Sequence, residues 1–158
     1  MSDEGHVVIA FSETSTVAIF TAAGVLLRQI AVDHVVNLRH AILLDSGQLV
    51  ICHGSLQHHA GVSVIDAEGH VLKTLPADAE SQQLCWPTHL AVDHRQFVYV
   101  ADYSGKRVLQ LDSDLTHVAD LVGYDHGLRN PRNICIDSIR RRLYVAESGG
   151  SVLVFGFQ

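Results

Sequence analysis

Apolar residues along this chain come in short runs of about five, broken at intervals of roughly 8–12 residues by Gly, Ser, Asp and His. No stretch repeats its apolar positions with the helical period, so the pattern predicts strands throughout. Four such runs stand in the order 87–93, 97–102, 107–112 and 117–122, and they define strand types a, b, c and d. The order returns at 131–137, 142–147 and 151–155 as a, b and c, and at 38–44, 48–53, 61–66 and 71–75 as a, b, c and d. The runs at 7–11, 16–20 and 26–30 read as b, c and d. His40 to His53 and His89 to Asp102 share one spacing, so those two units align without a gap.

Runs such as Val98 to Ala101 and Leu49 to Cys52 are apolar on both faces. An antiparallel sheet with one wet face alternates, so these sheets must be covered on both sides. Four-stranded sheets stacked radially as propeller blades satisfy that requirement. Asp45-Ser46-Gly47, Ala67-Glu68-Gly69 and Ser104-Gly105 supply the turn chemistry of tight hairpins. The expected fold is all-β, a β-propeller built of four-stranded antiparallel blades. Its units are 5–33, 36–76, 85–122 and 128–158 in a single domain, 1–158.

Thr88-His89-Leu90-Ala91-Val92-Asp93, followed by Val98-Tyr99-Val100-Ala101-Asp102-Tyr103-Ser104-Gly105-Lys106-Arg107-Val108, resembles an NHL repeat. The shared unit is a Pro-x-x-apolar-x-apolar-Asp strand followed by apolar-Tyr-Val-Ala-Asp. The resemblance extends over 85–122 and 128–156, and more faintly over 36–76 and 5–31. It implies a propeller, usually of six blades, of the kind found at the C-terminus of TRIM-type ubiquitin ligases. No RING, B-box or coiled-coil segment is read in the chain, so ligase activity is not assigned.

The strands number three, four, four and three, against about twenty-four in a closed ring of six four-stranded blades. The chain is therefore expected to supply about half a ring, without a first a strand and without a last d strand. A lone half-ring exposes two apolar blade faces and unpaired strand edges. Two resolutions stand: copies that close the ring as a homodimer or higher ring, or a piece of a longer protein. Self-assembly is the expectation, and the blade number stays open.

Composition narrows the class. Of 158 residues 47% are hydrophobic and only 18% charged, which excludes disorder and fits one well-buried domain. No window of about 18 residues is free of charged or turn residues, so no helical membrane span is expected. The opening Met1-Ser2-Asp3-Glu4-Gly5 carries acids where a signal peptide carries lysines, and a cytoplasmic protein is expected. A net charge of −6, with nine arginines and two lysines, gives no global field for polyanions. Cys52, Cys85 and Cys135 form no CxxC pair and are expected to be buried free thiols.

In a propeller the d–a connections and b–c turns share one face. Here that face collects Arg39, Trp86, Arg129 and Arg132 from the connections and Tyr103 and Lys106 from a turn. These six are the expected binding residues, suited to single-stranded RNA through phosphate contacts and stacking or to a protein through Arg forks. Arg140, Arg141 and Arg142 follow strand a and fall on the opposite face, as a solvated hairpin tip. The alternative is a metal-dependent propeller lyase, or a small-ligand-binding propeller, using loop histidines. Its candidate ligands are His53, His58 and His59 in the segment 53–60, where His58 and His59 point opposite ways if extended. Amidating lyases are similar propellers with a histidine directly after the Pro of strand a; the matching positions here are Arg39, Thr88 and Arg132. No GxSxG, GxxxxGK[ST] or HExxH motif occurs, and Asp112-Ser113-Asp114 lacks the rest of a calcium loop. The expectation is a protein that is not an enzyme, with no cofactor and no metal.

Overall fold

A computed structural model describes residues 5–55, 58–76 and 84–156, apart from the side chains of Ser55, His58 and His59. All fourteen anticipated strands are present, in four antiparallel sheets. Sheet 1 holds β1 (His6–Phe11), β2 (Thr16–Thr21) and β3 (Leu26–Ala31). Sheet 2 holds β4 (His40–Leu43), β5 (Leu49–Ser55), β6 (His58–Ile65) and β7 (Val71–Leu75). Sheet 3 holds β8 (Pro87–Val92), β9 (Val98–Asp102), β10 (Arg107–Leu111) and β11 (His117–Val122). Sheet 4 holds β12 (Pro131–Asp137), β13 (Arg142–Glu147) and β14 (Val152–Gly156). Within each sheet the strands follow chain order, as short hairpins require.

The two-faced apolar runs have a direct structural cause. Along β9, Val98 and Val100 pack toward sheet 2 while Tyr99 and Ala101 pack toward sheet 4, so every residue of the strand is buried. Along β5, Leu49 and Ile51 meet sheet 1, and Val50 and Cys52 meet sheet 3. Three apolar clusters thus glue four sheets in sequence, each fed by alternate residues of its two neighbours. The outer sheets end in strands that alternate: Val7, Ile9 and Phe11 on β1 and Val152 and Val154 on β14 are exposed, with less exposed residues between them.

Inner strands β4, β8 and β12 lie side by side, and β5 and β9 each touch the inner strand of the following sheet. β1 touches β4 in that same way, which makes it a b strand with no a strand inside it among the described residues.

Aspartates at strand ends fix the hairpins. Asp93 Oδ1 accepts the N–H groups of Arg95 and Phe97, and Asp66 Oδ1 those of Glu68 and His70. Asp112 Oδ1 does the same for Asp114 and Thr116, so the Asp112-Ser113-Asp114 carboxylate closes a turn. Gly69 has φ +97, and a Cβ there would lie 2.0 Å from the Ala31 carbonyl oxygen, so only glycine fits this contact between sheets 1 and 2.

Two expectations change here. Of the three thiols only Cys52 is buried, its pKa pushed up to about 12 by burial; Cys85 and Cys135 are exposed. Cys135 belongs to the uncovered face of sheet 4, so its buried-type setting in the sequence does not bury it. The segment 53–60 is also less loop-like than expected, since β5 runs to Ser55 and β6 starts at His58.

Candidate functional site

The d–a connection before β8 is anchored by one buried carboxylate. Asp102, fully buried at the end of β9, accepts the N–H of Trp86 at 2.7 Å and those of Cys85 and Gly105 at 3.2 Å. The Tyr103 N–H in turn donates to the Trp86 carbonyl at 2.9 Å. These bonds tie the connection to the b–c turn and set Trp86 beside Tyr103, with ring centroids 5.2 Å apart and edge-on. From sheet 2, Arg39 donates its N–H to the Cys52 carbonyl at 2.9 Å and its Nε to the Gly54 carbonyl at 3.1 Å. That brace lays its guanidinium 4.9 Å from the Trp86 ring centroid.

Around this group lies a groove of about 490 Å3, lined among others by Arg39, Trp86, Tyr103 and Arg132, with His40, His89 and Asn133 of the inner strands. Arg132 is exposed, and among the described residues its guanidinium has no anionic partner. The Trp86 indole Nε1 is buried and, among the described residues, has no hydrogen-bond acceptor. A buried donor in that state carries an uncompensated desolvation cost.

The inner strands supply a repeated device. His40 Nδ1 accepts the Leu90 N–H at 3.3 Å, and His89 Nδ1 accepts the Ile134 N–H at 3.5 Å, each ring reaching to the next sheet. Burial pushes the His40 pKa down to about 4, helped by His89, and lowers that of His89 too. A neutral ring accepting at Nδ1 carries its proton on Nε2, so each offers an N–H donor and no positive charge at neutral pH.

The six expected binding residues therefore divide. Arg39, Trp86, Tyr103 and Arg132 meet at the groove. Lys106 and Arg129 instead flank Tyr124, at 5.5 and 3.9 Å from its ring centroid. Arg129 Nη1 also donates to the carbonyls of Tyr124 and Leu128, which holds the guanidinium against the backbone. Tyr124 is 57% exposed and was not singled out from the sequence, although an aromatic between Gly123 and Gly127 in a d–a connection is a usable signal.

His53 is a core residue: its Nε2 lies 2.8 Å from Ser63 Oγ, which lies 2.8 Å from Thr74 Oγ1, linking three strands of sheet 2. Burial lowers its pKa to about 4. The side chains of His58 and His59 lie outside the described residues. Among the described residues no group of three or more His, Cys, Asp or Glu is placed to hold a metal ion. Arg140 stands on the opposite face, paired with Asp137 at 3.0 Å.

No protein-family model matches the chain, and no curated protein matches it. Solved structures do resemble it. The WD40 β-propeller domain of Doa1 superposes with a TM-score of 0.69 at 13% identity, over 100% of this chain and 49% of that one. Virginiamycin B lyase from Staphylococcus aureus gives 0.59 at 12% identity, over 99% of this chain and 54% of that one. The computationally designed Ika4 protein gives 0.62 at 19% identity, over 100% of this chain and 88% of that one. The chain spans about half the length of the first two. These likenesses show the fold: a β-propeller portion of about half a ring.

They also correct one expectation. Virginiamycin B lyase is an enzyme by name and shares this fold. The lack of familiar catalytic motifs on a propeller therefore does not exclude catalysis, and the expectation that this protein is not an enzyme is withdrawn. Among the described residues no helix is long and apolar enough to cross a membrane.

Proposed function

We propose that this half-ring is a binding module whose groove takes a carboxylate-bearing segment of a partner protein. The observation that carries this reading is a groove that presents two guanidiniums, Arg39 and Arg132, beside Trp86, whose buried indole N–H has no acceptor among the described residues. Guanidinium groups bind carboxylates through paired N–H donors, and an indole N–H adds a third donor of fixed direction. The neutral imidazoles of His40 and His89 add donors without adding charge.

The same residues fit single-stranded RNA less well. Base stacking needs an open aromatic face, whereas Arg39 lies over the Trp86 ring and Arg129 over that of Tyr124. The NHL-type repeat and ring closure by a second copy belong to this proposal. Closure is supported by the ends of the half-ring. Tyr144, Ala146 and Val152 of sheet 4 correspond in sequence to Tyr99, Ala101 and Val108 of sheet 3, which are 2%, 0% and 0% exposed against a neighbouring sheet; Val152 is 61% exposed.

Calorimetric titration tests the reading with a peptide rich in Glu and Asp, its Gln/Asn analogue, and oligouridylate. The acidic peptide is expected to bind, with the amide analogue at least about tenfold weaker, the loss of one charge-assisted hydrogen bond. Binding of oligouridylate in place of the acidic peptide, with affinity falling steeply in salt, would replace this reading by the RNA one.

A further inference from the structure

Sheets 2, 3 and 4 each begin with an inner strand, and sheet 1 does not. β1 pairs with β2 along one edge, from His6 opposite Thr21 to Phe11 opposite Thr16. Its other edge, facing the ring centre, carries no partner strand among the described residues. Where that partner would lie is a groove of about 560 Å3, lined by His6 and Val8 of β1, by Ala41 to Asp45 and Gly47, and by Val92. We propose that this groove is a strand-addition site, taking an extended segment of a partner polypeptide as the missing inner strand of sheet 1.

The place is continuous with an interface already built. Inner strands β4, β8 and β12 pack in a row, and the groove is the next position in that row, beside β4. A strand edge offers backbone N–H and C=O groups for pairing, and the apolar floor rewards the side chains of one face.

The chain itself shows the chemistry that fits. Inner strands β8 and β12 follow Pro-x-x-apolar-x-apolar-Asp, with Leu38 and Leu44 at the two end positions of the β4 run, and the first apolar residue is buried in all three: Leu90 at 1%, Ile134 at 5% and Ala41 at 3% exposure. The residue before it reaches to the next sheet, His40 to the Leu90 N–H and His89 to the Ile134 N–H. Ala41 is the equivalent of Leu90 and Ile134, and no side chain among the described residues meets its N–H. A fitting segment therefore carries apolar residues at alternate positions, with His or Asn just before the first of them.

A second copy of the chain does not fit this description. Its β4, β8 and β12 are each paired and packed within their own sheets, which leaves no inner strand to donate among the described residues. End-to-end ring closure and strand addition at β1 are therefore separate events.

The test uses a fluorescently labelled peptide, Pro-Thr-His-Leu-Ala-Val-Asp, with polarisation to read binding and hydrogen–deuterium exchange to read its place. The expected result is saturable binding with slowed exchange in residues 6–11. A peptide with Pro at the Leu and Val positions is expected to lose binding, and one with Ala at the His position to bind several-fold weaker. Absent binding, or binding that leaves exchange in 6–11 unchanged, overturns the proposal. So does slow exchange, in the protein alone, of the β1 amides that point away from β2, because that edge is then already paired.

Discussion

The rings of His40 and His89 are stacked, with centroids 3.7 Å apart and planes 27° from parallel. Each accepts a backbone N–H from the following sheet, so the pair joins sheets 2, 3 and 4 at the centre of the half-ring. Two rings that close cannot both become charged without repulsion, and each would lose its acceptor on protonation.

That stack makes stability depend on pH. The folded pKa values of His40 and His53 are lowered to about 4, and that of His89 is lowered as well, from 6.5. Between those values the unfolded chain binds more protons than the folded one, so stability is full above about pH 6.5 and falls toward pH 4. Exposed His70, raised by Asp66, works in the opposite sense, adding stability at low pH that is lost as pH rises. Carboxylates held low, such as Glu147 and Asp120, lose their contribution only below their ordinary range. Denaturant midpoints measured from pH 7.5 to 4.5 should therefore decline chiefly below 6.5, and His53→Asn should flatten the slope. A flat profile over that range would contradict neutral, buried rings.

Asp102 is expected to carry both stability and site geometry. Its buried carboxylate gathers the N–H groups of Cys85, Trp86 and Gly105, with Arg107 Nε at 3.4 Å. Asp102→Ala leaves those donors unmet and should destabilise by about 3 kcal/mol, measured by urea unfolding. Gly105→Ala should act on the same spot, because a Cβ there would lie 2.2 Å from Asp102 Oδ2. A cost near zero for both would mean that Trp86 is held by something else.

The ends of the half-ring give a third prediction. With Val7, Ile9 and Phe11 exposed at one end and Val152 and Val154 at the other, light scattering over a dilution series should report a dimer or larger ring. Val152→Asp and Val154→Asp together should return the monomer, and the unfolding midpoint should then no longer rise with protein concentration. A monomer at all concentrations would mean that these faces stay open or are covered by further blades of a longer chain.

Strand periodicity made the fold legible because a blade is a local object: each hairpin is written in neighbouring residues. The repeat even placed β1 correctly as a b strand, as its contact with β4 shows. What the sequence did not separate was position within the stack. Tyr144 and Tyr99 occupy one repeat position, yet only Tyr99 is buried, because burial there depends on whether another sheet follows. The six binding candidates were grouped by face, which topology determines. Their division into a groove and a Tyr124 cluster depends on side-chain reach across connections, and Arg129 is drawn off by backbone carbonyls that no motif announces. His53 illustrates the same limit: a histidine in a His-rich segment looks like a ligand until Ser63 and Thr74 are seen beside it.

The salt dependence of partner binding is the fourth prediction. Two groove cations, Arg39 and Arg132, imply a shallow fall of affinity with salt for an acidic peptide. Arg132→Ala should weaken binding about tenfold with little change in stability, since Arg132 is exposed. Equal affinity for wild type and this variant would place the peptide elsewhere.

Trp86 is the only tryptophan in the chain, so its indole N–H gives a single resonance in a 15N-correlated spectrum. Titration with the acidic peptide should move that resonance downfield and saturably as Nε1 gains its acceptor, and the Gln/Asn analogue should move it far less. A resonance that stays fixed while the peptide binds would contradict the groove as the binding site.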